Sequence, residues 1–137
     1  MFFGNLNYNH KDDILKFLCD KAIEKYNLDK SFYNAVLERE MIGNTSFGNL
    51  ISIPHPNKPI GNDSFVVIGV LNKPIDWDDE QVQLVFLLSM KESGDFNLQD
   101  FYKVLSKLLY TPIYVNRLIN NPTFKELKTI VYELNSK

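Results

Sequence analysis

Apolar side chains near the N-terminus recur with the spacing of one face of a helix. Over residues 11–26 they stand three or four positions apart, at Ile14, Leu15, Leu18, Ala22 and Ile23. Asp12 and Asp13 would lie in the first turn, where negative charge suits the helix dipole. The pattern predicts an amphipathic helix from Lys11 to Tyr26.

A second helix is predicted over residues 31–40. Ser31 is a favourable N-cap residue, and the Gly43–Asn44 pair is suited to ending the helix. The side chains predicted to face inward are Phe32, Ala35 and Val36.

The middle of the chain has the composition of strands. The predicted strands are the apolar run that follows the Gly48–Asn49 turn and ends at His55, residues 64–71, and residues 82–90. The last two are apolar without alternation, which is typical of strands covered on both faces. Residues 74–77 are predicted as a short edge element before an acidic turn.

Three helices are predicted after the last strand, over residues 98–109, 112–119 and 122–134. Pro112 and Pro122 would each begin a helix, because proline suits the first helical turn. The order of helices, then strands, then helices predicts a single α/β domain built in layers.

Composition limits the classes of function. The chain has 137 residues, 45% hydrophobic and 23% charged, as expected of one globular domain. Its net charge is −2 and its basic residues are scattered, which argues against direct nucleic-acid contact. No segment approaches the ~20 apolar residues of a membrane span. A single cysteine excludes an internal disulfide and fits the cytoplasm.

Several polar residues have ordinary structural interpretations. Cys19 falls on the apolar face of the first predicted helix and is interpreted as a core thiol. His10 is expected to be exposed, and the acidic residues 76 and 78–80 are expected to form a solvated turn. The sequence has no zinc or calcium pattern and no glycine-rich nucleotide motif. We therefore expect no metal and no cofactor.

His55 is the main candidate for chemistry. It lies between Pro54 and Pro56, and proline restricts both its own backbone and that of the residue before it. An imidazole held on such a stiff backbone is presented to a partner at one angle. Because imidazole is largely neutral near pH 7, His55 is a candidate nucleophile and phosphoryl acceptor.

Arg39, Thr45 and Ser46 are candidates to support His55. The Arg39 guanidinium is suited to contacting two phosphoryl oxygens at once, but a solvated arginine paired with Glu38 or Glu40 is the alternative. The hydroxyl groups of Thr45 and Ser46 would bond a phosphate or His55, or would only cap the turn.

The stretch from Arg39 to His55 resembles the active-site segment of the fructose/mannitol-type EIIA domains of the sugar phosphotransferase system. Those domains have Arg-Glu, a glycine turn with Thr or Ser, and then Ile/Val-Pro-His. The sequence FGNLISIPHP at 47–56 is most similar to the C-terminal EIIA domain of BglG-type transcriptional regulators. KPIDW at 73–77 and VQLVFLL at 82–88 extend the resemblance over nearly the whole chain.

The resemblance implies a mixed sheet of about five strands flanked by helices, with His55 phosphorylated and Arg39 stabilising the phosphoryl group. The phosphoryl donor would be HPr or an EIIB. Transport-type members have a second histidine where this chain has Asn97. Asparagine can donate a hydrogen bond to phosphate but cannot shuttle a proton, so this departure favours regulation over rapid onward transfer.

Three functions follow from this interpretation. In the first, residues 1–137 are one EIIA domain taken from a longer BglG-type regulator, whose other domains are its partners and for which Met1 is an added start. In the second, the chain is a free-standing EIIA that relays phosphate from HPr to EIIB during sugar uptake. In the third, the site has degenerated and the domain is only an interaction surface.

Overall fold

Five strands and five helices make up the described part of the chain in a computed structural model, which covers residues 1–61, 63–90 and 98–136, with backbone only for 98–102. In chain order the elements are β1 (Phe2–Leu6), α1 (Lys11–Tyr26), α2 (Ser31–Ile42), β2 (Ser46–Gly48), β3 (Ile51–Ser52), β4 (Phe65–Trp77), β5 (Glu80–Ser89), α3 (Leu98–Leu109), α4 (Pro112–Asn120) and α5 (Phe124–Asn135).

The strands form one mixed sheet in the order β1-β4-β5-β3-β2. The β4–β5 hairpin is antiparallel and forms its centre, while β1 joins β4 and β3 joins β5 in parallel. Strand β2 pairs antiparallel with β3 and lies at one edge. The expected mixed sheet of about five strands is thus confirmed.

The sheet is covered on both faces, as the continuous apolar runs predicted. One core contains β5 residues such as Leu84 and Phe86 together with residues of α3, α4 and α5. The other contains Val85 and Leu87 of the same strand together with residues of α1 and α2. Successive side chains of β5 point to opposite faces, so this strand needs an apolar residue at nearly every position.

Two helix starts differ from the predictions. Ser31 is not the N-cap of α2: Lys30 precedes the helix, and the Ser31 amide donates to Asp29 Oδ1 at 2.8 Å. The last helix begins at Phe124, not at Pro122, because the Thr123 hydroxyl accepts from the Glu126 amide at 3.1 Å and caps it there. At both helix starts a side-chain oxygen, of Asp29 or of Thr123, accepts from a backbone amide of the first turn, and the helix begins one or two residues away from the predicted position.

Two strand predictions also need correction. Residues 74–77 are not a separate edge element but the end of β4, where Ile75, Asp76 and Trp77 pair with β5. Pro74 is tolerated because the ladder is irregular between Val70 and Ile75. The strand predicted to end at His55 ends at Ser52, since Pro54 has no amide hydrogen to continue a ladder.

Replacing Thr123 by alanine should destabilise the domain by about 1 kcal/mol, the usual value of an N-cap side chain. The loss should appear because α5 places Leu127, Ile130 and Leu134 in the core. Urea unfolding measures it, with Thr129→Ala as the control, because the Thr129 hydroxyl only donates to the Lys125 carbonyl on an exposed helix surface. Equal midpoints for the two variants would contradict the capping role.

Candidate functional site

His55 lies just beyond β3, where the extended chain is still attached to the sheet. The Pro54 carbonyl accepts from the Leu88 amide of β5 at 2.9 Å, and the Ile53 amide donates to the Thr45 carbonyl at 3.0 Å. These bonds hold the backbone on either side of the stiff Ile-Pro-His segment. The half-buried imidazole is therefore presented from a rigid support.

The His55 ring has one nitrogen tied to the backbone. Its Nδ1 lies 3.0 Å from the carbonyl oxygen of Ile53. A carbonyl oxygen only accepts, so the geometry assigns the hydrogen to Nδ1. The lone pair is then on Nε2, the nitrogen that can attack an electrophile.

A cleft of about 510 Å³ lies beside this ring. Arg39, Thr45, Ser46 and His55 all line it, so the structure brings these four predicted residues together. Leu88 of β5 and Leu105 of α3 contribute apolar walls. Asn97 lies outside the described residues.

Arg39 is half-buried at the end of α2, and its Nη1 donates to the Gly43 carbonyl at 2.7 Å. Neither acidic neighbour pairs with it: Glu38 accepts from Asn57 Nδ2 at 2.8 Å, and Glu40 pairs with Lys11. None of the ion pairs formed among the described residues involves Arg39. The alternative of a surface arginine paired with Glu38 or Glu40 does not describe this geometry.

The two hydroxyl residues of the turn differ in their surroundings. Thr45 is buried, and its Oγ1 donates to Oε1 of the buried Glu40. The Ser46 amide donates to Asn44 Oδ1 at 2.8 Å, which closes the turn before β2. The Thr45 hydroxyl hydrogen is thus directed into the protein rather than toward a bound phosphate.

Three residues that sequence reasoning missed also line the cleft: Phe47, Lys58 and Tyr110. Phe47 and Tyr110 are large apolar groups left 57% and 76% exposed at its rim. Lys58 is exposed and adds a second cation to the lining of the cleft, which favours an anionic ligand. The sequence could have indicated Lys58 as a site residue, because it follows His55 by three positions in a proline-rich loop. Tyr110 is distant from His55 in the sequence, and only the fold brings it to the cleft.

The residues for which the sequence predicted only a structural role do not line this cleft. Cys19 is buried in the core, and desolvation raises the pKa of its thiol to about 12. His10 is exposed and precedes α1, while Asp78 of the acidic turn pairs with Lys11. Among the described residues no group of three or more His, Cys, Asp or Glu side chains is placed to hold a metal ion. None of the described helices is both long and apolar enough to cross a bilayer.

Residues 1–134 match the sequence profile of one protein family, described as "Phosphoenolpyruvate-dependent sugar phosphotransferase system, EIIA 2". This match confirms the resemblance seen in the Arg39–His55 segment and its extension over nearly the whole chain.

Two similar proteins are regulators from Bacillus subtilis (strain 168). The "Probable licABCH operon regulator" is 36% identical over 130 residues, which is 95% of this chain and 20% of the regulator. The "Transcriptional regulator ManR" is 30% identical over 109 residues, 80% of this chain and 17% of that protein. The chain thus spans a fifth or less of the length of these regulators.

A solved structure from Escherichia coli has the same fold. It is the "Complex of enzyme IIAMTL and phosphorylated enzyme IIBMTL", matched with a TM-score of 0.76 and 15% identity over 96% of this chain and 93% of the solved chain. In that complex an EIIA protein is paired with its EIIB.

Proposed function

The chain belongs to the EIIA 2 family of the phosphoenolpyruvate-dependent sugar phosphotransferase system, and from this premise we propose that it is a phosphohistidine-accepting regulatory domain. It is proposed to be one domain of a longer, cytoplasmic BglG-type transcriptional regulator. Phosphorylation of His55 then couples sugar transport to gene expression. One observation carries this proposal: His55 has Nδ1 bonded to the Ile53 carbonyl, with the ring beside a cleft that two cations line.

The proposed reaction is a direct transfer between proteins. The lone pair on His55 Nε2 attacks the phosphorus of a phosphorylated donor, and a nitrogen–phosphorus bond forms. The bond between phosphorus and the donor atom breaks, and its electron pair returns to the donor. Nδ1 keeps its hydrogen on the Ile53 carbonyl throughout, so no proton has to leave the ring during the transfer.

Arg39 and Lys58 are proposed to stabilise the phosphoryl group while it passes. Negative charge is spread over its oxygens, and a guanidinium can contact two of them. Among the described residues, the Arg39 guanidinium makes one hydrogen bond, to the Gly43 carbonyl. The other donors of its guanidinium are available to a ligand in the cleft.

The donor is proposed to be a protein, either HPr or an EIIB. The exposed apolar groups at the rim, Phe47 and Tyr110, suit contact with a protein surface better than with a small anion. The exposed Met41 and Ile42 continue α2 just after Arg39. Pairing of the related mannitol EIIA with phosphorylated EIIB supports an EIIB as one partner.

The regulatory assignment rests on the relatives and on composition. Two relatives are named as regulators, and this chain corresponds to a fifth or less of their length. The scattered basic residues make this domain unsuited to nucleic acid, so that contact is assigned to other domains of the longer protein. The alternative function is a free-standing carrier that relays phosphate from HPr to EIIB, as the likeness to the mannitol EIIA suggests.

The proposal is tested by following both half-reactions in a quench-flow instrument, with phosphoenolpyruvate, Enzyme I and HPr, and with or without a cognate EIIB. We expect the chain to be phosphorylated and to pass its phosphate to EIIB slowly. Asn97→His should then accelerate the transfer to EIIB more than it changes phosphorylation by HPr, because histidine can move a proton and asparagine cannot.

Two outcomes count against this function in different ways. Rapid native transfer to EIIB, with no gain from Asn97→His, would favour the transport carrier over the regulator. Absence of phosphate on the folded chain with both HPr and EIIB donors would favour the degenerate interaction surface.

A further inference from the structure

A connected path of hydrogen bonds leads from Glu40, a buried residue near the end of α2, to the His55 ring. The Thr45 hydroxyl donates to Glu40 Oε1. The Thr45 carbonyl accepts from the Ile53 amide at 3.0 Å, and the Ile53 carbonyl accepts from His55 Nδ1 at 3.0 Å. The last of these hydrogen bonds, from His55 Nδ1 to the Ile53 carbonyl, selects the ring tautomer.

Glu40 is a buried carboxylate that forms an ion pair with Lys11, a lysine at an unusual position in its helix. Its side chain is 4% exposed, and its Oε2 lies 2.8 Å from Lys11 Nζ. Lys11 is the first residue of α1, where the helix dipole disfavours a cation. The helix dipole therefore does not favour a lysine at this position. Its ion pairs with Glu40 and Asp78, at 2.8 and 2.9 Å, do favour it.

The surroundings of Lys11 favour its charged form, and with it the ion pair to Glu40. Burial lowers the pKa of Lys11, but the interactions of its ammonium group with the carboxylates of Glu40 and Asp78 together outweigh burial, so the pKa is raised overall. The Lys11 ammonium also lies 5.3 Å from the centre of the Trp77 ring. The Glu40 carboxylate is thus held by Lys11 of α1, which is itself held by Asp78 and Trp77 at the end of the β4–β5 hairpin.

The loop that carries Thr45 is attached to the same corner of the molecule. Asn44 Nδ2 donates to the Trp77 carbonyl at 3.0 Å. Thr45 is consequently held from two sides, by its neighbour Asn44 and by Glu40.

A buried ion pair contributes little net stability on average, so stability alone is a weak reason for a carboxylate at position 40.

We propose that Glu40 is a positioning residue for phosphoryl transfer, acting through Thr45 and the Ile53 peptide to hold His55 with Nδ1 protonated and Nε2 available to the donor. The inference rests on the proposed function, because it assigns Glu40 a part in the reaction at His55. It also predicts a property of the unphosphorylated ring that is measurable without any donor.

The experiment compares Thr45→Val, which has the same shape but no hydroxyl, with Thr45→Ser, which keeps it. One readout is the rate of phosphorylation by phosphorylated HPr, and the other is the His55 tautomer from the ¹⁵N chemical shifts of both ring nitrogens. Thr123→Val is the matched control, because it removes a threonine hydrogen bond at the start of α5.

Thr45→Val should lower the phosphorylation rate about tenfold, a smaller loss than the 10²-fold that a full 1 Å misplacement costs. The variant should also show both tautomers, whereas the native chain shows only the Nδ1–H form. Thr45→Ser should restore most of the rate and the single tautomer. Thr123→Val should leave rate and tautomer unchanged despite its lower stability.

Two Glu40 variants decide the matter if Thr45→Val does not fold. Glu40→Gln loses the ion pair with Lys11 but keeps an oxygen that can accept from Thr45, so it should fall between the native chain and Glu40→Met, which keeps no such oxygen and should mix the tautomers. A single native tautomer in folded Thr45→Val or Glu40→Met overturns the proposal. If instead the native chain shows one tautomer but is never phosphorylated, the positioning path stands and the proposed function fails.

Discussion

A His55→Ala variant will carry no phosphate after incubation with phosphoenolpyruvate, Enzyme I and HPr, whereas the native chain will be labelled. The expected loss is complete, because no other group in the cleft is an imidazole: the chain has two histidines, and His10 precedes α1 outside the residues that line the cleft. The native adduct should be acid-labile and alkali-stable, as nitrogen–phosphorus bonds are.

The structure also specifies which nitrogen is modified. Because Nδ1 is bonded to the Ile53 carbonyl, phosphorus should be attached to Nε2, and phosphorus–nitrogen coupling in NMR spectra distinguishes the two isomers. His10→Ala is the matched control and should be labelled like the native chain, since His10 is exposed and remote from the cleft. Phosphate that persists on His55→Ala, or a native adduct at Nδ1, would refute this assignment.

An Arg39→Lys variant should be phosphorylated on the order of 10²-fold more slowly, which corresponds to the ~2–4 kcal/mol that one lost transition-state contact costs. Lysine keeps the positive charge but replaces a planar fork with a single point charge, so two simultaneous oxygen contacts are no longer possible. Single-turnover kinetics with phosphorylated HPr in excess measures the effect on the chemical step.

The control for this prediction is the other arginine. Arg117→Lys disturbs contacts to Glu126 and Glu133, each at 2.7 Å, between α4 and α5, so it should lower stability without slowing phosphorylation. The structural bond from Arg39 Nη1 to the Gly43 carbonyl makes a folding check necessary, and thermal unfolding provides it. Native kinetics in a stably folded Arg39→Lys variant would show that the guanidinium has no part in the reaction.

Elements with strong local patterns were predictable from the sequence. Helix α1 begins and ends where its apolar spacing and acidic first turn predicted, and the buried faces of β4 and β5 follow from their continuous apolar runs. Strand β1 was missed because it contains Gly4 and an Asn5 with φ of 54°, both unfavourable locally for a strand. It exists through pairing with β4, and a Cβ on Gly4 would overlap the carbonyl of Pro122, far along the chain.

For the site, the sequence by itself determined the family and the candidate residues, because the segment from Arg39 to His55 is continuous and its spacing is visible without a fold. The stiffness around His55 is likewise local, since proline restricts its own backbone and its neighbour's. Asn97 was also visible as a departure from the transport-type pattern.

Only the tertiary structure decided what each side chain does there. The Thr45 hydroxyl turns to Glu40, and Glu40 pairs with Lys11 from another helix. Lys58 and Tyr110 both line the cleft although they are far apart in the chain. The physical reason is that hydrogen bonds and ion pairs act over a few ångströms of space, whereas a sequence pattern records only which residues are near one another along the backbone.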